Sequence, residues 1–249
     1  MKVAVCLYGY PRQIEYGKKS LDYFLDGIEH DFYIHAWCDK NITEDDYGTT
    51  KNQINDFFKP KSFVLEKQID FRNSFDFECD LSALKREFVE AGIAISATLS
   101  PLYSILKVSE LLDEKKENYD IVILTRTDVF SAKQLKDYHF DNFDDIYSSF
   151  CHGEMWNLNG NGDAIDTKMI MSSQKNMTRF LKIYNFVETY LRDEKIRLCH
   201  HRLFAHHLKK LNQKFQMIFG GTSNWFYIRS NGHLEGELVH SDIKNFPIF

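Results

Sequence analysis

Four consecutive apolar residues, Ile121 to Leu124, pass directly into Thr125-Arg126-Thr127-Asp128. The run reads as a buried strand over 120–125, and a buried strand ordinarily ends in a turn of Gly, Asn or Ser. This one ends in an arginine and a carboxylate. In open α/β sheets, ligands bind outside the carboxyl ends of the strands, where a rigid support meets an open loop. The segment "YDIVILTRTDVF" is therefore expected to end at a site.

The rest of the first half supplies a sheet for that strand. "KVAVCLY" (2–8) predicts a first strand that leaves through Gly9-Tyr10-Pro11-Arg12, and "DFYIHAW" (31–37) and "KSFVLEK" (61–67) predict two more. Leu21, Phe24, Leu25 and Ile28 recur at helical spacing within 13–29. The stretch "CDKNITEDDYGTT" reads as a polar loop, and 68–97 offers one helix near 81–91. Ser100-Pro101 reads as a helix start, serine as cap and proline in the first turn. Leu102, Ile105, Leu106 and Leu112 would form that helix's buried face. Alternating strands and helices predict a mostly parallel sheet with helices packed on it.

The second half predicts a strand at 144–150, a Gly- and Asn-rich loop at 151–163 and a strand at 167–173. A helix from about 174 carries Phe180, Tyr184, Val187 and Leu191, and another spans about 200–211. "FQMIF" and "NWFYIRS" read as late strands and the tail from His240 as irregular. No internal repeat or Pro/Gly linker interrupts the chain, so one continuous domain with a mixed sheet is expected.

Composition narrows the function. The net charge is −5 with no basic stripe, which argues against nucleic acid as partner. Five widely spaced cysteines form neither a disulfide framework nor a CxxC metal site, and read as reduced thiols in a cytoplasmic protein. No apolar run approaches a transmembrane span. Neither GxGxxG nor GxxxxGK[ST] is present, so a dinucleotide fingerprint and a P-loop are unsupported. Cys199, His200, His201, His206 and His207 read as a helix rich in surface histidines rather than a zinc site.

The chemistry-bearing residues sit at strand ends. Asp128 can hold Mg²⁺ or Mn²⁺ through oxygen and bridge it to phosphates. Arg126, two residues earlier, projects to the same side, or else pairs with a buried carboxylate and braces the sheet. Gly9 allows close backbone approach to a ligand, Tyr10 stands beside it, and Arg12 offers a planar fork for phosphate. An ordinary turn with a surface arginine is the alternative for this segment.

In order, "GYPR", "DFYIHAW", "SPLYSILKVSELL" and "YDIVILTRTDVF" resemble the small GT-A-type sugar-nucleotide glycosyltransferases of viral and bacterial polysaccharide pathways. "NGNGDAIDTKMIMSSQKNM" is similar to a later segment of that family, in which an Asp opens a short strand before a helix. The resemblance covers roughly residues 1–190. It implies a single GT-A-like α/β domain over 1–249, with a mostly parallel central mixed sheet flanked by helices. Residues 1–130 would form a Rossmann-like nucleotide-sugar-binding half and 131–249 an acceptor-side half.

The implied activity is transfer of a sugar from a nucleotide-diphosphate sugar to a glycan or polysaccharide acceptor. The implied cofactor is a divalent cation, Mn²⁺ or Mg²⁺. Gly9, Tyr10, Arg12, Arg126 and Asp128 would bind the donor. Asp128 and His240 would meet the metal. Asp163 would be the base, with Glu154 as second candidate, Asp166 as a weaker one and Trp156 available for stacking. Where the family's DxD motif places its first carboxylate this chain has Arg126, which could itself offset pyrophosphate charge. A nucleotidyl- or phosphosugar transferase on a related fold is an alternative, as is a non-catalytic carbohydrate- or nucleotide-binding protein.

Overall fold

The computed structural model describes residues 1–75, 94–148, 165, 168–218, 225–228, 233–235 and 240–242. The chain starts as β1 (Lys2–Gly9), α1 (Ile14–Phe24), β2 (Glu29–Cys38), α2 (Glu44–Phe58) and β3 (Ser62–Lys67). After α3 (Ala94–Lys115) come β4 (Ile121–Thr125), β5 (Val129–Ser131), β6 (Ile146–Ser148) and β7 (Met169–Ser172). Helices α4 (Gln174–Phe180), α5 (Val187–Arg192) and α6 (His200–Leu211) follow, then β8 (Phe215–Met217), β9 (Trp225–Ile228), β10 (His233–Glu235) and β11 (His240–Asp242).

A seven-stranded sheet has the order β3-β2-β1-β4-β7-β6-β8, and a four-stranded sheet the order β11-β10-β9-β5. In the larger sheet β3, β2, β1 and β4 are mutually parallel, and β7 runs against both β4 and β6. This is the mixed, mostly parallel sheet flanked by helices that the sequence predicts. The central strands alternate between two cores, as a doubly covered sheet requires. Ala4, Cys6, Tyr33, Trp37, Val122 and Leu124 pack with Leu102, Ile105, Val108 and Leu112 of α3. Val3, Val5, Leu7, Ile34, Ile121 and Ile123 pack with Ile14, Leu21 and Phe24 of α1 and Ile54 and Phe58 of α2.

Several elements differ from expectation. The polar stretch after Cys38 contains the start of α2, where Thr43 Oγ1 accepts the Asp46 N–H at 3.1 Å and three acidic residues fill the first turn. Helix α3 begins at Ala94, so Ser100 is no cap and Pro101 lies inside the helix. Proline has no N–H to give the Ala97 carbonyl, and Ala97 borders an open cleft, where water can take that donor's place. Helix α1 ends at Phe24, because Gly27 turns the chain at φ 75°. The helix expected from 174 is interrupted by a 3-10 segment, Leu181–Phe186. The tail is not all irregular, since β11 pairs with β10. The helix expected near 81–91 lies outside the described residues.

At the amino end of the parallel strands, charges close the sheet. Lys2 and Lys61 both pair with Asp31 and Glu117, and the Tyr119 hydroxyl donates to Asp31 at 2.8 Å. Burial would raise the Asp31 carboxyl, but hydrogen bonds from Tyr119 and Lys61 and the nearby ammonium charges outweigh it and hold it low. Hydrogen bonds from Lys61 and Lys2 hold Glu117 low. Carboxylates depressed in the folded state stabilise it above their unfolded values, and that stability is lost as pH falls through the folded values. Melting temperature should therefore drop as pH falls below about 4. Asp31→Asn with Glu117→Gln should start lower and show a shallower drop; an unchanged slope would refute the coupling.

At the carboxyl end, a Cβ on Gly17 of α1 would lie 1.6 Å from the Thr127 carbonyl oxygen. Gly17→Ala must push α1 off the β4–β5 turn, at a cost of about 1–3 kcal/mol. Chemical denaturation should show that loss, and full retention of stability would contradict the packing.

Candidate functional site

A cleft of about 630 Å³ opens across the carboxyl ends of β3, β2, β1 and β4. The chain winds from β1 through β2 to β3 on one side, then crosses to place β4 on the other side of β1. That reversal leaves a crevice beyond β1 and β4, the habitual ligand position in such sheets. Gly9, Tyr10 and Arg12 reach the cleft from β1 and Arg126 from β4. Trp37, Asp39, Lys40 and Asn41 border it from β2, and Gln68, Asp70 and Arg72 from β3.

The two loops at the crevice are fastened together. Thr127 is buried, and its hydroxyl donates to the Arg12 carbonyl at 2.9 Å. Gly17 lets α1 come against the Thr127 backbone, and the Ser20 hydroxyl accepts the Ser131 N–H at 3.0 Å. Gly9 turns the chain at φ 94°, a conformation that favours glycine. The Arg12 guanidinium lies over the Tyr10 ring at 5.7 Å, and Tyr10 is 38% exposed.

Arg126 donates to both oxygens of Asp128, Nε to Oδ1 at 2.7 Å and Nη2 to Oδ2 at 2.6 Å. Asp128 is only 1% exposed and does not border the cleft; Arg126 does, and is partly exposed. Arg126 pairs with a buried carboxylate, as one sequence reading had it, and it also borders the cleft. Its charge also reaches α6. Burial first, then His201 and Arg126, hold the His200 imidazole well below its ordinary range.

Hard cations need several oxygen ligands around one point. Among the described residues no group of three or more His, Cys, Asp or Glu side chains converges on such a point. Both Asp128 oxygens already accept from a guanidinium. The strand register His240–Glu235–Tyr227–Val129 sets three strand spacings between the His240 and Val129 backbones, about 14 Å. Asp128, held by Arg126 and away from the cleft, and His240, three strands off, are not brought together as ligands of one cation. Asp163, Glu154, Asp166 and Trp156 lie outside the described residues.

The histidines of α6 are not a surface set. His207 is fully buried, with Nδ1 2.7 Å from the Tyr190 hydroxyl, and burial lowers its pKa to about 4. His200, His201 and His206 are half-buried, and His201 Nδ1 lies 2.6 Å from the Ile165 carbonyl.

Sequence reasoning missed the cleft wall made by α3. Ser96, Ser100 and Ser104 recur every four residues; the first two border the cleft and the third is buried. Ser100 Oγ exchanges hydrogen bonds with the Gln68 amide at 3.1 and 3.2 Å, and its carbonyl accepts Trp37 Nε1–H at 3.3 Å. The four-residue spacing of serines was the available signal, masked by the stronger apolar face of Leu102, Ile105 and Leu112 on the same helix.

No protein-family model matches the chain, and no curated protein matches it. Among solved structures it is similar to an active-site mutant of LgtC, with 12% identity, 86% of this chain and 72% of that one covered, and a TM-score of 0.46. It is similar to apo mouse xyloside xylosyltransferase 1, with 7% identity, coverage of 88% and 86%, and a TM-score of 0.41. It is also similar to the glycosyltransferase GlyE of Streptococcus pneumoniae TIGR4, with 11% identity, coverage of 88% and 46%, and a TM-score of 0.43.

Asp128→Asn keeps the shape at the crevice and removes the charge that holds Arg126. Because Asp128 is buried and Arg126 only partly so, the loss should fall between exposed and fully buried pairs, about 1–3 kcal/mol. Arg126→Lys should not restore two-point pairing, since an ammonium has no fork. Equal melting temperatures for wild type and both variants would contradict the pair's role.

Proposed function

We propose that this chain is a glycosyltransferase that moves a sugar from a nucleotide-diphosphate sugar to a glycan or polysaccharide acceptor. The observation that carries the reading is the cleft at the switch point, with Arg12 on the β1 side and Arg126 on the β4 side. Its volume lies within the range of small-ligand and cofactor sites. Two guanidiniums at the crevice suit a diphosphate, whose adjacent tetrahedral phosphoryl groups present pairs of anionic oxygens to planar forks. Tyr10 offers an exposed ring, and Asp39, Asn41, Gln68 and Asp70 offer groups for hydroxyls and a base edge.

In the transfer, an acceptor hydroxyl oxygen bonds to the anomeric carbon as the bond from that carbon to the phosphate oxygen breaks. The nucleoside diphosphate departs with the electron pair, and Arg12 and Arg126 offset its growing charge. A carboxylate takes the acceptor proton when the step inverts configuration. Asp163 is proposed for that role, Glu154 as the second candidate. Asp128 aims Arg126. In this reading residues 1–130 hold the donor and 131–249 serve the acceptor. Buried free thiols at Cys6, Cys38 and Cys199 support a reducing, cytoplasmic setting. No helix among the described residues is long and apolar enough to cross a membrane.

Nucleoside diphosphates and sugar nucleotides should raise the melting temperature without Mn²⁺, by about 2.7 kcal/mol of stabilisation at a hundredfold excess over Kd. Arg12→Ala and Arg126→Ala should abolish the shift, and Asp163→Asn should keep it while losing transfer. Absence of a shift with every nucleotide tested would overturn the reading. A shift requiring Mn²⁺ would restore a metal role. Release of pyrophosphate instead of nucleoside diphosphate would point to nucleotidyl transfer.

A further inference from the structure

A chain of hydrogen bonds runs from the outer strand of the sheet to the turn at the cleft. Glu66 on β3 lies 3.2 Å from His35 Nε2, and His35 Nδ1 lies 2.7 Å from Ser104 Oγ. Ser104 Oγ accepts the Gly9 N–H at 2.9 Å. His35 and Ser104 are fully buried, and neither they nor Glu66 border the cleft; Gly9 does.

The chemistry of each member fixes the direction of the chain. An ionised carboxylate only accepts, so His35 Nε2 carries the ring proton and Nδ1 is a bare acceptor. The single Ser104 proton goes to that nitrogen at 2.7 Å rather than to the His35 carbonyl at 3.3 Å. The hydroxyl's lone pair is then left for Gly9. Burial pushes the His35 imidazole below its ordinary value, Glu66 opposing it; Lys107 of α3 lowers it further and Glu110 of α3 raises it. Burial thus favours the neutral ring that the chain needs.

We propose that Glu66, His35 and Ser104 are positioning residues that hold the Gly9 turn, and with it Tyr10 and Arg12, in place for the donor's diphosphate. The inference rests on the proposed glycosyltransferase reading. Three features separate it from ordinary core satisfaction. The chain ends on a backbone N–H at a left-handed turn. That turn is part of the cleft wall. The carboxylate that orients the chain sits two strands away, at the edge of the sheet.

The test is steady-state kinetics with the sugar nucleotide that gives the largest thermal shift. Glu66→Gln and Ser104→Ala should each raise donor KM about tenfold while kcat stays within twofold. His35→Asn keeps an acceptor near the Nδ1 position, so it should raise KM less than Ser104→Ala and make Glu66→Gln silent when the two are combined. Lys67→Ala, one residue beyond Glu66, should leave KM unchanged. Unchanged KM in both Glu66→Gln and Ser104→Ala, or a fall in kcat alone, would overturn the proposal. If Ser104→Ala does not fold, Glu66→Gln decides.

A second readout needs no donor. Nitrogen-15 NMR should place the His35 proton on Nε2, and Glu66→Gln should speed Gly9 amide exchange about tenfold. A proton on Nδ1, or unchanged exchange, would overturn the chain even if sugar nucleotides bind. If none binds, the glycosyltransferase reading fails, and these two measurements judge the anchoring of Gly9.

Discussion

The contact between Gly17 of α1 and the Thr127 carbonyl governs everything at the carboxyl end of the sheet. Any side chain at position 17 would occupy the space that the β4–β5 turn already fills. Because the helix can come this close, Thr127 turns inward and bonds the Arg12 backbone. Its two neighbours are then fixed in register: Arg126 toward the cleft and Asp128 into the interior. The ion pair is a consequence of that backbone placement. Its bidentate geometry then restricts the arginine to one direction.

The site is thus assembled from pieces of differing rigidity. The strand ends belong to a sheet buried on both faces, where packing is dense and small displacements are resisted. The groups that meet solvent, Tyr10, Arg12 and Arg126, stand on short loops anchored within a few residues by buried hydroxyls. In the proposed transfer, such anchoring limits the reorganisation needed when charge develops on the donor's diphosphate.

Much of this was legible in the sequence, and the omissions have physical causes. The apolar runs of β1, β2 and β4 announce themselves because burial on both faces leaves no room for polar residues. Gly9, Tyr10, Arg12 and Arg126 could be picked out because they interrupt those runs where a plain turn was expected. Helix α2 was missed because only Ile54 and Phe58 are buried, so it has little apolar stripe; Thr43 and Asp46 were its better marker. Ser100-Pro101 imitates a helix start, and only the cleft beside Ala97 explains how a proline sits inside α3. Strands β5 and β11 are three residues each and owe their existence to distant partners, which local patterns do not record. That Asp128 faces inward could not be read either, since it depends on where α1 lies.

The reversed direction of β7 has a further meaning. β6 runs with β4 and β7 against it, so Ser148 and Met169 both lie toward the carboxyl end of β4: Ser148 pairs with Ile170, and Met169 with Thr125. The Thr125 hydroxyl also donates to the Lys168 carbonyl at 2.6 Å. The end of the sheet that carries the cleft is therefore met by the start of one strand, β7, as well as by the ends of β4 and β6. A parallel β7 would have sent its first residue to the opposite end; the reversal keeps Ser148 and Met169 on the side of the sheet where the cleft opens.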